Sequence, residues 1–463
     1  MKSNPMTASQ NQKRQKKKYC FIAAAAVLVV AAVVGGIFLR PGGEVSIHTA
    51  AIAQAVYPEM AQYPSDPYDD AAFVAWYESK YAQQRDLGDV SELQSFFARS
   101  SGAFLSDTGG QNKVYSPLNV YMALSMLAQV TDGQSREQIL TLLGSGSMDD
   151  LRVQVNDVWN ANYRDDGTLT SVLANSLWLN ENVNFKQDTM DILAEDFYAS
   201  SYRGKMGSKD FNQALQDWLN EQTGGLLQEQ AEKIEMNRDT ILALASTVYY
   251  KAKWEYEFRD EYTSPQTFHS PTGDQEIDFL HQGMPHGYFW GDSFAAIYQP
   301  FEEGGGMWFL LPDEGVTPEN LLNDPEAVDF LFTADKSEWE NSKYLVVNKS
   351  IPKFDVSSQF DLIGGLKSLG VTDVFDPEIS DFTPMLENPG IPVWVSEANH
   401  AARVLIDEEG CTAAAFTVIM AEAGAAAPPE DEVDFTLDRP FLFCITGDSG
   451  LPLFVGVVNY PAG

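Results

Sequence analysis

What most limits the folds open to this chain is the order in which its two hydrophobic periods occur. Helical patterning fills residues 89–107 and 116–143, strands and helices alternate to about Leu331, and after Tyr344 the chain is mostly β-rich. A parallel βαβ sheet would alternate throughout, so long helices first and strands massed late imply an α+β fold. With 44% of its 463 residues apolar and 12% aromatic, the chain has ample material for a large core and is too hydrophobic for a disordered protein. No internal repeat is visible.

Charge excludes whole classes of partner. The chain carries 30 Lys and Arg against 66 Asp and Glu, and seven of the basic residues lie in the first 40 positions, which hold no acid. From residue 41 onward the balance is 23 basic against 66 acidic, net −43. A body this acidic repels phosphate backbones and heparin-type polyanions, because binding them needs a basic stripe. Nucleic acid is therefore excluded as a partner. Three cysteines (Cys20, Cys411, Cys444) are too few for a disulfide scaffold and read as unpaired. The five histidines show no metal-ligand spacing, so no metal and no cofactor is expected.

The N-terminus reads as an address. A Lys-Arg-Gln-Lys-Lys-Lys cluster at 13–18 precedes nineteen uncharged residues that begin at Phe21 and end at Leu39. As a helix these would span roughly 28 Å, about a hydrocarbon core. The positive-inside rule then puts the acidic body outside the cell. The expected division is a basic cytoplasmic tail (1–18), a transmembrane signal-anchor (19–40), an acidic extracellular tether (41–88) and the main domain (89–463). A cleaved signal peptide and secretion are the alternative, since Ala51, Ala53 and Ala55 offer small-residue sites; these lie far past the apolar run, which favours a retained anchor. Within the tether, residues 71–85 could form one amphipathic helix with Phe73, Trp76, Tyr77 and Tyr81 on one side.

One motif invites a wrong reading. Gly447-Asp448-Ser449-Gly450 mimics the nucleophile block of trypsin-like proteases. A serine nucleophile needs a histidine base and an acid behind it, no Ala-His-Cys block precedes it, and only thirteen residues follow Gly450. The segment reads as a polar hairpin turn between two apolar strands. The chain is not expected to be an enzyme.

The most unusual stretch runs from Asp407 to Ala421. It is charged through Glu408 and Glu409, turns at Gly410, and continues for eleven residues without charge or proline. At period two, one face is Cys411, Ala413, Ala415, Thr417, Ile419 and Ala421, all small or apolar and fit for burial. The other is Thr412, Ala414, Phe416, Val418 and Met420. Alanine also favours helix, so composition alone allows an Ala-rich surface helix or a linker.

The run EEGCTAAAFT here resembles the reactive-loop hinge of the serpins, the serine protease inhibitors. The resemblance extends over residues 89–463. Ser116-Pro117-Leu118-Asn119, the block ending in Lys251-Ala252-Lys253-Trp254, Ser350-Ile351-Pro352-Lys353-Phe354, Asp438-Arg439-Pro440-Phe441 and Gly456-Val457-Val458-Asn459 match family blocks in order. The resemblance, read as one to bacterial-type members anchored or secreted, implies three β-sheets with about eight to nine helices and an exposed reactive-centre loop. It implies a monomer that works once: a target serine protease attacks the loop, forms a covalent acyl complex, and is displaced as the loop enters the main sheet. Carried over residue by residue, it implies a hinge at Glu408, Glu409, Gly410, Cys411, Thr412, Ala413, Ala414 and Ala415. It likewise implies a polar shutter cluster at Ser116, Asn119, Ser246 and His400, and Trp254 at the breach where insertion begins. The reactive bond is expected at Gly424–Ala425, with Ala423 or Ala426 as alternatives because the loop is about five residues longer than in familiar members. The small residues around it suit an elastase-like pocket. Cys411 replaces a threonine and Phe416 a small residue of the family pattern. A non-inhibitory surface binding protein or chaperone on the same fold is the alternative function.

Overall fold

The computed structural model describes residues 51–66, 68–411, 429 and 431–462. The proposed span at 21–39, the hinge residues Thr412 to Ala415 and the reactive bond at 423–426 lie outside the described residues. Among those described, no helix is long and apolar enough to cross a membrane.

Two sheets organise the body. The first has eight strands: β1 (Ala51–Ala53), β2 (Arg164–Asp165), β3 (Thr170–Asn180), β4 (Ala199–Gly204), β5 (Leu242–Lys253), β6 (Phe354–Asp361), β7 (Asn399–Ile406) and β8 (Gly410–Cys411). Their spatial order is β1-β4-β3-β5-β8-β7-β6, with β2 paired to β3. The second has nine strands and is continuous through one of 18 residues, Gly273–Trp290, which pairs with Ser264–Ser270, Phe294–Pro300 and Ser342–Pro352. That strand fuses what a three-sheet reading keeps apart, because its hydrogen bonds pass without a break from one group of partners to the other. Eleven α-helices are present among the described residues, two of them only four residues long.

Helix α2 (Pro117–Val130) sits between the sheets. Ser116 caps it, its Oγ accepting the Asn119 N–H at 3.3 Å, and proline occupies the first turn, where its missing N–H leaves no donor unmet. Its sides are apolar nearly all round, which suits a helix enclosed by two sheets. Helix α3 (Lys209–Gln222), capped by Ser208, lays Phe211 and Leu215 on the outer face of the first sheet against Trp178.

The segment read as a tether is docked on the body. β1 adds to the edge of β4, with Ala51 opposite Tyr202 and Ala53 opposite Ser201. Helix α1 (Asp70–Gln83) follows, and of its four aromatics only Trp76 is buried; Tyr77 and Tyr81 stay exposed. The Trp76 indole donates to Asp166 at 2.8 Å, within an ion cluster where the fully buried carboxylate of Asp166 meets Arg164 at 2.6 Å. Indole is apolar in body with one polar handle, and burying it requires a partner such as this one.

Candidate functional site

The site is built where the charged end of the 407–421 stretch meets the first sheet. Gly410 pairs with Lys253 and Cys411 with Ala252 of β5, while Cys411 also faces Ile406 of β7. A Cβ on Gly410 would come within 2.2 Å of the Ala252 carbonyl oxygen, so the sheet closes on this residue only because it is glycine. Above the pair the chain is stitched down. Trp254, buried and stacked on Phe301 with ring centroids 5.0 Å apart, donates its indole N–H to the Asp407 carbonyl (2.9 Å) and its backbone N–H to that of Glu409 (3.0 Å). The Asp407 carboxylate accepts the N–H groups of Glu409 and Gly410. Glu408 accepts from Lys353 at 2.7 Å and Thr263 at 2.9 Å. Burial works to raise its pKa, but hydrogen bonds from Lys353, its own backbone N–H and Thr263 outweigh burial and hold the carboxyl below its ordinary range.

β8 ends at Cys411, and past it no other strand among the described residues lies between β5 and β7, which are not paired directly with each other. A cleft of about 290 Å³ separates them, lined by both strands and by residues of α2 and α3. Strand alternation gives the cleft two unlike walls. On the inner side lie Leu244, Val248, Tyr250, Ala402 and Val404, which belong to the main core. Toward α3, Ala243 and Ala245 pack on the Trp178 cluster.

Ser116, Asn119, Ser246 and His400 come together midway along the cleft, but their bonds run differently from a direct strand-to-strand clasp. The Ser116 N–H donates to Nε2 of His400 at 3.1 Å, and Ser246 donates to the Asn119 carbonyl at 3.5 Å. Each central strand is thus fastened to the N-terminus of α2, and through it to the other. Burial pushes the His400 imidazole down to about 4, between the rings of Tyr115 and Phe360, whose centroids are each 5.3 Å away. The Asn119 side-chain oxygen is buried with no partner among the described residues.

Thr263 had no place in the sequence reading, and Lys353 stood in the quoted Ile351-Pro352-Lys353-Phe354 block without a role. Ser449, in the protease-like turn, donates to Asn162 at 2.7 Å, and Asp448 pairs with Arg164 at 3.2 Å.

The family model described as serpin (serine protease inhibitor) matches residues 92–461. Among curated proteins, Serpin-ZX of Arabidopsis thaliana is 27% identical over 396 residues, covering 81% of this chain and 99% of its own. Alpha-1-antiproteinase 2 of Equus caballus is 26% identical over 364 residues, covering 76% and 82%. These two come from a plant and a mammal and lend nothing to the bacterial type. Among solved structures, the thermophilic serpin tengpin in its native state matches with a TM-score of 0.71 at 22% identity, over 81% of this chain and 96% of that one. An Arabidopsis serpin in its native stressed conformation matches at 0.67 and 25% identity, over 81% and 99%. A match over four-fifths of the sequence, on a fold shared almost end to end, leaves one conclusion: the chain belongs to the serpin family of serine protease inhibitors.

Proposed function

We propose that this serpin is a single-use inhibitor of elastase-like serine proteases that acts by inserting its cleaved loop between β5 and β7. The observation that carries the reading is the two-residue strand β8, which sits in the slot with its register already set. With that register continued on insertion, Ala413 would fall opposite Tyr250 and Val404, Ala415 opposite Val248 and Ala402, and Thr417 opposite Ser246 and His400. Directly opposed residues share a face, so the whole small-residue row would point to the core. Phe416 would fall opposite Thr247 and Ala401 on the α3 side, where bulk is tolerated.

The covalent step is ordinary acyl transfer. The protease serine Oγ adds to the carbonyl carbon of Gly424, an ester forms, the Gly424–Ala425 amide breaks, and the serine proton leaves on the new Ala425 amine. Fifteen residues from Gly410 to Gly424 extend roughly 50 Å as a strand, enough to carry the esterified protease the length of the molecule. Attack at the alternative bonds Ala423–Gly424 or Ala425–Ala426 would follow the same chemistry. We read residues 21–39 as the anchor that holds the inhibitor at the outer surface, and the net charge of −43 beyond residue 40 argues against a polyanion cofactor.

Mixing the full chain with elastase and with trypsin, followed by denaturing electrophoresis and mass spectrometry of the released peptide, tests the reading. A denaturant-stable complex with elastase and a cut between Met420 and Ala427 are expected. Cleavage without a complex would overturn insertion; trypsin trapped as fast as elastase would overturn the target class.

A further inference from the structure

Residues 84–90 join helix α1 of the docked segment to the helix Ser91–Leu105 of the main body, and none of them belongs to a helix or strand. The chain turns extended at Gln84, whose φ and ψ are −62° and 135°. Among the described residues no hydrogen bond ties the backbone of 85–89 to another part of the body; the Gly88 N–H donates to the neighbouring Asp86 carboxylate. Leu87 and Val90 lean on the core, while Arg85, Asp86, Gly88 and Asp89 are exposed. The Arg85 guanidinium is held by two local carbonyls, of Ala82 and Gln84, and by Asp157 at 3.9 Å, an exposed pair worth little.

Other exposed basic residues sit on backbone that is tied down. Lys233 and Arg238 share a loop in which the Met236 N–H donates to Asn212 at 3.0 Å and the Thr240 carbonyl accepts from Asn180 at 2.9 Å. Arg259 follows Phe258, which is buried and bonded to the Glu408 carbonyl. Between the apolar run and the linker the basic residues are Arg40, which precedes Pro41, and Lys80, which lies in α1 and pairs with Glu303. The reactive loop offers no Lys or Arg between Arg403 and Arg439. A protease whose pocket selects basic side chains thus finds its bond in the linker and not in the loop.

We infer that the Arg85–Asp86 bond is a processing site for trypsin-like proteases, and that cutting it releases the inhibitory domain from its N-terminal anchor. The release rests on the anchor reading above. The protease serine Oγ takes the Arg85 acyl group, the amide breaks with a proton passing to the new Asp86 amine, and water hydrolyses the ester to leave the Arg85 carboxylate. Only noncovalent contacts then join residues 51–83 to the body, and without the linker they lose the effective concentration it supplied. Among the described strands only β1 lies before the cut, so the slot and the start of the hinge remain within 86–463.

The test reconstitutes the full chain into phosphatidylcholine vesicles and adds trypsin; flotation separates bound from free protein, and mass spectrometry reads the new ends. The first cut among residues 41–463 is expected after Arg85, with 86–463 in the free fraction and trapping elastase as fast as the uncut chain. Arg85→Gln is expected to slow that cut at least about a thousandfold, because a site built for a polar partner rejects an analogue lacking it, and to leave elastase trapping unchanged. A first cut after Lys233, Arg238 or Arg259, or an equal rate in Arg85→Gln, would overturn the processing site. A cut after Arg85 with 86–463 still floating would overturn the release. An uncut chain that fails to float would overturn the anchor reading and the release with it, while the position of the cut in solution still decides the site.

Discussion

Acidification offers a quantitative test of the His400 cluster. The imidazole is buried, its Nε2 accepts the Ser116 N–H, and burial holds its pKa at about 4 against an ordinary 6.5. The folded protein therefore binds fewer protons than the unfolded chain between those two values, and stability falls as pH drops through that window. At 1.36 kcal/mol per unit, the loss is about 2 kcal/mol at pH 5 and about 3 kcal/mol below pH 4. Above pH 6.5 the group contributes no slope. Urea unfolding of the wild type and of His400→Gln from pH 7.5 to pH 5 isolates the effect, since glutamine can accept the same N–H without titrating. The wild type is expected to lose about 2 kcal/mol more than the variant over that range. Parallel curves would refute a neutral, buried His400 as the acceptor that fastens β7 to α2.

Gly410→Ala places a methyl 2.2 Å from the Ala252 oxygen and 2.9 Å from the Lys253 Cα; it is expected to cost about 1–3 kcal/mol in urea and to raise the amount of inhibitor needed per protease trapped. Lys349 is buried with Nζ on the neutral Gln299 at 2.7 Å, and burial pushes its pKa down to about 7. Because that lies below the unfolded value, the wild type is expected to gain stability from pH 7 toward pH 10. Lys349→Met is expected to lose that slope and to be about 3 kcal/mol more stable at pH 7, measured by the same titration.

The sequence was informative wherever function depends on a local pattern. Gly410, Cys411, Trp254, Ser116 and Asn119 stand in recognisable blocks, whereas Ser246 and His400 could be named only through the family resemblance. Long-range partnerships carried no such mark. Arg403 and Asp355 lie 48 positions apart and meet only because β6 and β7 pair in antiparallel register. The docked segment was misread for the same reason: Trp76 looks like one aromatic among four until Asp166, 90 positions away, receives its N–H. The merging of two sheets likewise depends on one 18-residue strand whose length is masked by the mixed polarity of its middle.

The docking of the N-terminal segment also fixes an order in time. β1 finds its partner strand about 150 residues downstream, and Trp76 its acceptor 90 residues on. At synthesis rates of about 5–20 residues per second, these partners emerge roughly 5–30 seconds after the segment itself. Contacts of such long sequence separation close late, after more local pairings have formed. The segment joins the body at a sheet edge, through a three-residue strand, Tyr57 against Trp159 and Tyr163, the Tyr63 N–H on the Asp166 carbonyl, the Trp76 indole and the Lys80–Glu303 pair, and is placed to open ahead of global unfolding. The first described residues of the chain are thus the last to settle and the first to leave, and amide exchange in residues 51–83 is expected to outpace that of β3 and β5.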